Sequence, residues 1–245
     1  YNYELDKIFF KELNIRKPNY YLGAKGSFAN QIAIISEKLE KIILKEKPEK
    51  FVVLGDTNSS LGSIVAKRLG LKVYHLEAGN RSFLKKSPEE VNRKIIDHTS
   101  DINLPYTYRS CNNLVKEGID RKNIFVTGNP IYEVINFYKR KIKDLKILKK
   151  LRIDPEHYGV CTLHREENVD NKDKFKNYIY ILNTLAKELN IKIVFSVHPR
   201  THLRMQQFKI KLSKKIILVK PLGFIDFLNL EINSKFLITD SGTVQ

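Results

Sequence analysis

Five short stretches carry the residues most able to do chemistry. They are Asp56-Thr57-Asn58, Glu77-Ala78-Gly79-Asn80-Arg81, His164-Arg165-Glu166-Glu167-Asn168, His198-Pro199-Arg200 and Asp240-Ser241-Gly242-Thr243. Carboxylates and histidines can pass protons at neutral pH, arginines hold anions by paired hydrogen bonds, and a Ser-Gly turn offers backbone amides to phosphate. Each stretch directly follows an apolar run that reads as a buried strand: Phe51 to Gly55, Lys72 to Leu76, Gly159 to Leu163, Lys192 to Val197 and Phe236 to Thr239. In open parallel sheets ligands sit beyond the carboxyl ends of strands, so this shared placement points to a binding cleft.

Read singly, each stretch also has an ordinary structural meaning. Asp56 serves equally well as a helix N-cap, and Pro88-Glu89-Glu90 fits the first turn of a helix, where proline fits and acids favour the dipole. His164 and His198 fit satisfied polar positions, and Phe224 in PLGFID fits a core aromatic as well as a ligand contact. It is the common placement at strand ends that separates these residues from loop composition.

The elements that must position them alternate. Ile32, Ile35, Leu39, Ile42 and Ile43 mark one helix face ended by Lys47-Pro48, and helices are expected over 57–69, 89–99, 107–117 and 131–139. Strands are expected at 102–104 and 124–127. After a basic stretch to Tyr158, alternation resumes with helices over 173–189, 201–212 and 225–232 and a strand at 216–219. Strand alternating with helix predicts an α/β protein with parallel sheets wrapped by helices, here in two halves: 1–139, a linker over 140–157, and 158–245.

The charge of +17 invites a nucleic-acid reading, but the lysines are spread through helical segments among Glu, Ile and Leu, as on solvated helix faces. Nucleic acid is not an expected partner. No run of about 18 apolar residues occurs, so membrane insertion is not expected, and Cys111 and Cys161 lack disulfide or metal spacing, which suits a cytoplasmic protein without a metal. Gly-x-Gly-x-x-Gly, Gly-x-x-x-x-Gly-Lys-Ser/Thr, His-Glu-x-x-His and Gly-x-Ser-x-Gly are all absent, which removes the usual signals for dinucleotide cofactors, P-loop hydrolysis, zinc proteolysis and a hydrolase nucleophile elbow. The chain opens at Tyr1 and closes at Gln245 within a motif, and reads as a piece of a longer protein.

In order, GDTNSSLG (55–62), HLEAGNRSF (75–83), PEEVNRKIIDH (88–98), VTGNPI (126–131), LHREENVDN (163–171), HPRT (198–201) and TDSGTVQ (239–245) resemble the non-hydrolysing UDP-N-acetylglucosamine 2-epimerase family. The resemblance implies the GT-B architecture, two Rossmann-like domains with a UDP-sugar in the cleft between them, with no cofactor and a homodimeric assembly. It implies inversion at C2 by elimination and re-addition of UDP. Asp56, Glu77, Glu89 and His164 match the family's proton-transfer residues. Arg165, Phe224, Ser241, Gly242, His198, Arg200 and Arg81 are the expected UDP-sugar contacts. Asn80, Thr243 and LGAKGSFANQ (22–31) look more like the branch acting on modified sugars for surface polysaccharides, such as capsule or O-antigen, with UDP-N-acetyl-L-fucosamine as the favoured product. Plain UDP-GlcNAc, a UDP-diacetamido-uronic acid, a GT-B glycosyltransferase reaction, a hydrolysing epimerase and a non-catalytic UDP-sugar sensor are the alternatives. The resemblance also implies an opening strand and closing helices that this chain lacks, and with them an expectation of little activity for residues 1–245 alone.

Overall fold

The computed structural model describes residues 7–84 and 87–241. In chain order the elements are α1 (Lys7–Glu12), α2 (Phe28–Glu46), β1 (Lys50–Leu54), α3 (Ser63–Arg68), β2 (Lys72–Leu76), α4 (Pro88–Thr99), β3 (Ile102–Leu104), α5 (Tyr108–Lys116), α6 (Ile131–Ile142) and α7 (Lys146–Leu151). They continue with β4 (Tyr158–Leu163), α8 (Glu166–Val169), α9 (Lys172–Glu188), β5 (Lys192–Val197), α10 (Pro199–Gln207), β6 (Ile216–Val219), α11 (Phe224–Ile232) and β7 (Phe236–Thr239). The chain divides into two compact units, Pro18–Glu133 and a second formed by Tyr1–Lys17 with Val134–Gln245.

In the unit of residues 18–133, β1, β2 and β3 form a parallel sheet in that order. The central strand places Val73 on one face, packed with Ile43 and Ala66, while Ile96 of α4 joins Val53 and Leu61 in a separate cluster. Helix α2 starts where the Ser27 hydroxyl accepts the Asn30 amide at 3.3 Å, and stops at Lys47, whose left-handed φ of 48° precedes Pro48. The segment expected as one helix from Thr57 begins instead as a 3-10 turn over Asn58–Gly62 before α3. A Cβ on Gly62 would stand 2.6 Å from the Leu39 side chain, so close packing against α2 holds this tighter turn. The strand expected at 124–127 reduces to one bridge, Asn103 with Ile124.

In the other unit, four parallel strands run in the order β6-β5-β4-β7. The two central strands are apolar on both faces, as a doubly covered parallel sheet requires. Cys161, Leu163, Ile193, Phe195 and Val197 pack against Phe175, Ile179 and Leu182 of α9. Tyr158, Val160 and Val194 face the other way, toward Ile147 and Leu148 of α7 and Leu230 of α11. The stretch 140–157, expected as a linker, therefore differs from expectation: α7 carries core side chains, and the buried Tyr158 hydroxyl donates to Leu230 O at 2.7 Å. The division also groups Tyr1–Lys17 with the later residues, not with the first half as expected. Glu12 and Leu13 show why: Glu12 accepts the Ile225 amide at 3.1 Å, and Leu13 O accepts the Tyr138 hydroxyl at 2.6 Å.

Candidate active site

Asp56 follows β1 and Glu77 follows β2, and parallel pairing in register of Leu54 with Leu76 brings the two strand ends side by side. The Glu77 backbone turns at a φ of 67°, a left-handed conformation that a glutamate rarely adopts, that costs about 1–3 kcal/mol and that persists only where the surroundings impose it. Here the surroundings do: Glu77 N donates to Leu104 O at 3.1 Å and Gly55 N to Leu76 O at 3.0 Å. Burial, then the neighbouring Asp56 charge, raises the Glu77 pKa, against opposing pulls from Arg93, Asn80 and His75. Such a carboxyl holds a proton more readily than a surface glutamate, which suits an acid-base group. Arg93 of α4 contacts Asp56 at 2.5 Å, and Asn92 fixes the Asp56 carbonyl at 2.8 Å.

Behind Glu77 lies a buried polar network. The His75 ring lies 2.8 Å from Asp97 Oδ1 and 3.1 Å from Gly55 O, and Asp97 also accepts the Gly79 amide at 3.2 Å. Gly79 has a φ of 75°, and a Cβ there would sit 2.3 Å from the Ser110 carbonyl, so only glycine fits the turn. Arg81 donates to Asp97 at 2.7 Å and grips Glu117 through Nε at 2.8 Å and an Nη at 2.5 Å, with its side chain fully enclosed. This corrects the expectation that Arg81 meets the UDP-sugar: its guanidinium is spent on neutralising two carboxylates beneath the loop.

The Pro88-Glu89-Glu90 run also separates into two roles. Glu90 is buried, accepts the Ser82 amide at 2.9 Å and its hydroxyl at 3.0 Å, and lies 3.3 Å from Arg93. Glu89 is exposed on the first turn of α4, one turn ahead of Arg93, and accepts the Ser87 hydroxyl at 2.5 Å.

In the other unit, the central placement of β4 between β5 and β7 gathers the second set of residues. Asp240 after β7 organises the loop after β4: it accepts the amides of His164 at 3.1 Å and Arg165 at 3.0 Å and the Asn168 side chain at 3.1 Å. His164 Nδ1 lies 3.0 Å from Asp240, which orients the ring. Asp240 stands in the fifth chemical stretch of the sequence, yet no sequence argument assigned it a role, because its pairing with residues 75 and 76 positions earlier depends on the β4–β7 contact.

His198 accepts the Arg200 amide at 3.3 Å as the N-cap of α10, and its ring centre lies 6.4 Å from that of His164. Burial, then the neighbouring His164 and Arg200, lowers its pKa. Arg165 keeps an exposed side chain with Glu167 at 3.7 Å, so it can turn to an anion. Arg200 donates to Asp170 at 3.1 and 2.6 Å and to Glu166, and Arg204 reaches Asp170 at 2.9 Å. Phe224 opens α11 half-buried, and Ser241 donates its amide to Thr239 Oγ1 at 2.9 Å. Gly242 lies outside the described residues. Among the described residues, no group of three or more His, Cys, Asp and Glu is arranged to hold a metal, and no helix is long and apolar enough to cross a membrane.

Two parallel-sheet units wrapped by helices, with chemically active side chains at the strand ends, define a GT-B type α/β protein. A family described as UDP-N-acetylglucosamine 2-epimerase matches residues 1–245, and the chain belongs to that family, an isomerase class. It is 41% identical over 260 residues to a UDP-N-acetylglucosamine 2-epimerase of Methanocaldococcus jannaschii, covering 100% of this chain and 69% of the relative. The M. jannaschii enzyme solved with UDP-GlcNAc and UDP superposes with a TM-score of 0.89 at 41% identity, over 100% of this chain and 69% of that one. A UDP-2,3-diacetamido-2,3-dideoxy-D-glucuronate 2-epimerase of Pseudomonas aeruginosa is 34% identical over 98% of this chain and 67% of its own length.

Proposed function

We propose that the protein inverts C2 of a UDP-2-acetamido sugar without net hydrolysis, with UDP-GlcNAc and its C2 epimer as the substrate pair. The observation that carries this reading is the Asp56–Glu77 pair at adjoining strand ends, with Glu77 in a strained conformation and its pKa raised by burial and the Asp56 charge. The C2 proton of such a sugar is not beside a carbonyl, so direct abstraction would leave an unstabilised carbanion. Elimination avoids this: a base takes the C2 proton, the C2–H electrons form the C1–C2 double bond, and the C1–O electrons leave with UDP. Re-addition reverses the flow while an acid returns a proton to the opposite face of C2.

Glu77, Asp56, Glu89 and His164 are assigned to proton transfer, with His164 oriented by Asp240. Arg165, Ser241 and Gly242 are assigned to diphosphate, His198 to the nucleotide and Phe224 to the uracil. Arg200 and Arg81 are assigned to support through their carboxylate partners. A second reading keeps the chemistry and changes the sugar to a modified one of surface polysaccharides, including the UDP-N-acetyl-L-fucosamine route. It is favoured by the polar Asn80 beside Glu77 and by the likeness to the P. aeruginosa diacetamido-glucuronate enzyme.

Incubating the full-length protein with each UDP-2-acetamido sugar in D₂O and following C2 by NMR tests both readings. Deuterium at C2 with UDP still attached is the expected result. Free sugar plus UDP, or sugar transfer to an acceptor without exchange, would overturn it.

A further inference from the structure

We propose that Asn80 is a positioning residue for Glu77, fixing which carboxylate oxygen transfers the proton. This rests on the reading of Glu77 as an acid-base group. Asn80 Nδ2 donates to Glu77 Oε1 at 3.1 Å, while Asn80 Oδ1 accepts the Ser110 hydroxyl at 2.8 Å. Ser110 is itself held at the start of α5, where its amide donates to Thr107 Oγ1 at 3.1 Å and the two hydroxyls lie 3.1 Å apart. An amide side chain receiving a hydroxyl proton on its oxygen must present its N–H₂ on the other side, so the hydroxyl sets the polarity of the Asn80 contact with Glu77.

The backbone of Asn80 is also restrained. Its carbonyl accepts Arg81 Nη1 at 2.7 Å, and the amide of the preceding Gly79 is bound by Asp97 at 3.2 Å. The donor therefore stands on a rigid turn. With Oε1 engaged, Oε2 is the oxygen left to the substrate. It lies beside Gly55, where a Cβ would stand 3.4 Å from it.

The other groups that face Glu77 are Asp56 after β1, Arg93 from α4, His75 in β2 and Tyr106 after β3. Asp56 opposes the ionised carboxylate, while Arg93 and His75 favour it, and the Tyr106 hydroxyl is held protonated by burial and then by the Glu77 charge. Among these neighbours Asn80 is the one hydrogen-bonded neutral donor, so it can steer one oxygen without adding charge.

The test compares Asn80→Leu, which keeps branching and size but removes the donor, with Ser110→Ala and Glu77→Gln in the full-length protein. The readout is C2 deuterium exchange from UDP-GlcNAc as a function of pH. Asn80→Leu is expected to move the acidic limb of kcat/KM upward and to lower exchange at neutral pH about ten- to a hundredfold, the scale of a lost hydrogen bond to a charged group. Ser110→Ala is expected to shift the limb in the same direction by less, and it carries the test if Asn80→Leu does not fold. Glu77→Gln should abolish exchange. Loss of exchange in Glu77→Gln with an unmoved limb in the folded Asn80 or Ser110 variant overturns the role of Asn80 alone. Full exchange in Glu77→Gln overturns the reading of Glu77 and the Asn80 inference with it.

Discussion

Glu77 concentrates the conflict between stability and chemistry in this protein. Its carboxyl sits partly buried beside Asp56, which penalises the charged form, and its backbone is held left-handed. A carboxyl whose pKa is raised on folding contributes stability below its unfolded pKa and loses that contribution as pH rises through the folded pKa. Glu77→Gln, which keeps the shape and removes the charge, should therefore raise the melting temperature at pH 7 while abolishing turnover. The gain should disappear as pH falls below the carboxylate range, and thermal scans across pH would reveal it. A lower melting temperature at pH 7 would mean that the contacts of ionised Glu77 with Arg93 and Asn80 outweigh its burial. The type of residue and the upward direction of its pKa were legible from the strand-end carboxylates, while the pairing that sets Asp56 beside Glu77 is given by β1–β2 register.

Helix α11 illustrates how elements depend on distant residues. Its N-cap is Gly223, which offers no side chain, and the free amides of its first turn are met by Glu12, 213 positions earlier. A side chain at position 223 would collide with that carboxylate, since a Cβ there would lie 2.4 Å from Glu12 Oε2. Glu12→Ala should cost about 1 kcal/mol, the usual scale for a lost cap, as measured by chemical denaturation. Burial raises the Glu12 pKa, against the lowering pull of the Ile225, Phe224 and Asp226 amides. Glu12→Gln, which still offers an oxygen to Ile225, should stay within about 0.5 kcal/mol of the parent protein. Hydrogen exchange should place the Glu12→Ala effect in 224–232 and leave β1 to β3 unchanged. Local sequence predicted α11 and its start at 225, but gave no hint of its cap.

At the scale of the molecule, each unit carries its own core, and the protected amides should follow that division. Val160, Cys161, Val194 and Phe195 in β4 and β5 and Val73 in β2 are fully buried, so native-state hydrogen exchange should find two separate slow groups centred on these strands. A single group confined to one unit would contradict independent cores. The sequence by itself determined the alternating strands and helices, the two-part α/β class and the five chemical strand ends, because apolar periodicity and capping act over a few residues. Tertiary structure alone decided that α7 belongs to a core, that α1 serves α11, that Arg81 and Arg200 are spent on Asp97, Glu117, Asp170 and Glu166, and that Asp240 orients His164. Each of those facts depends on which distant charges and unsatisfied backbone groups end up adjacent, and no local pattern records that.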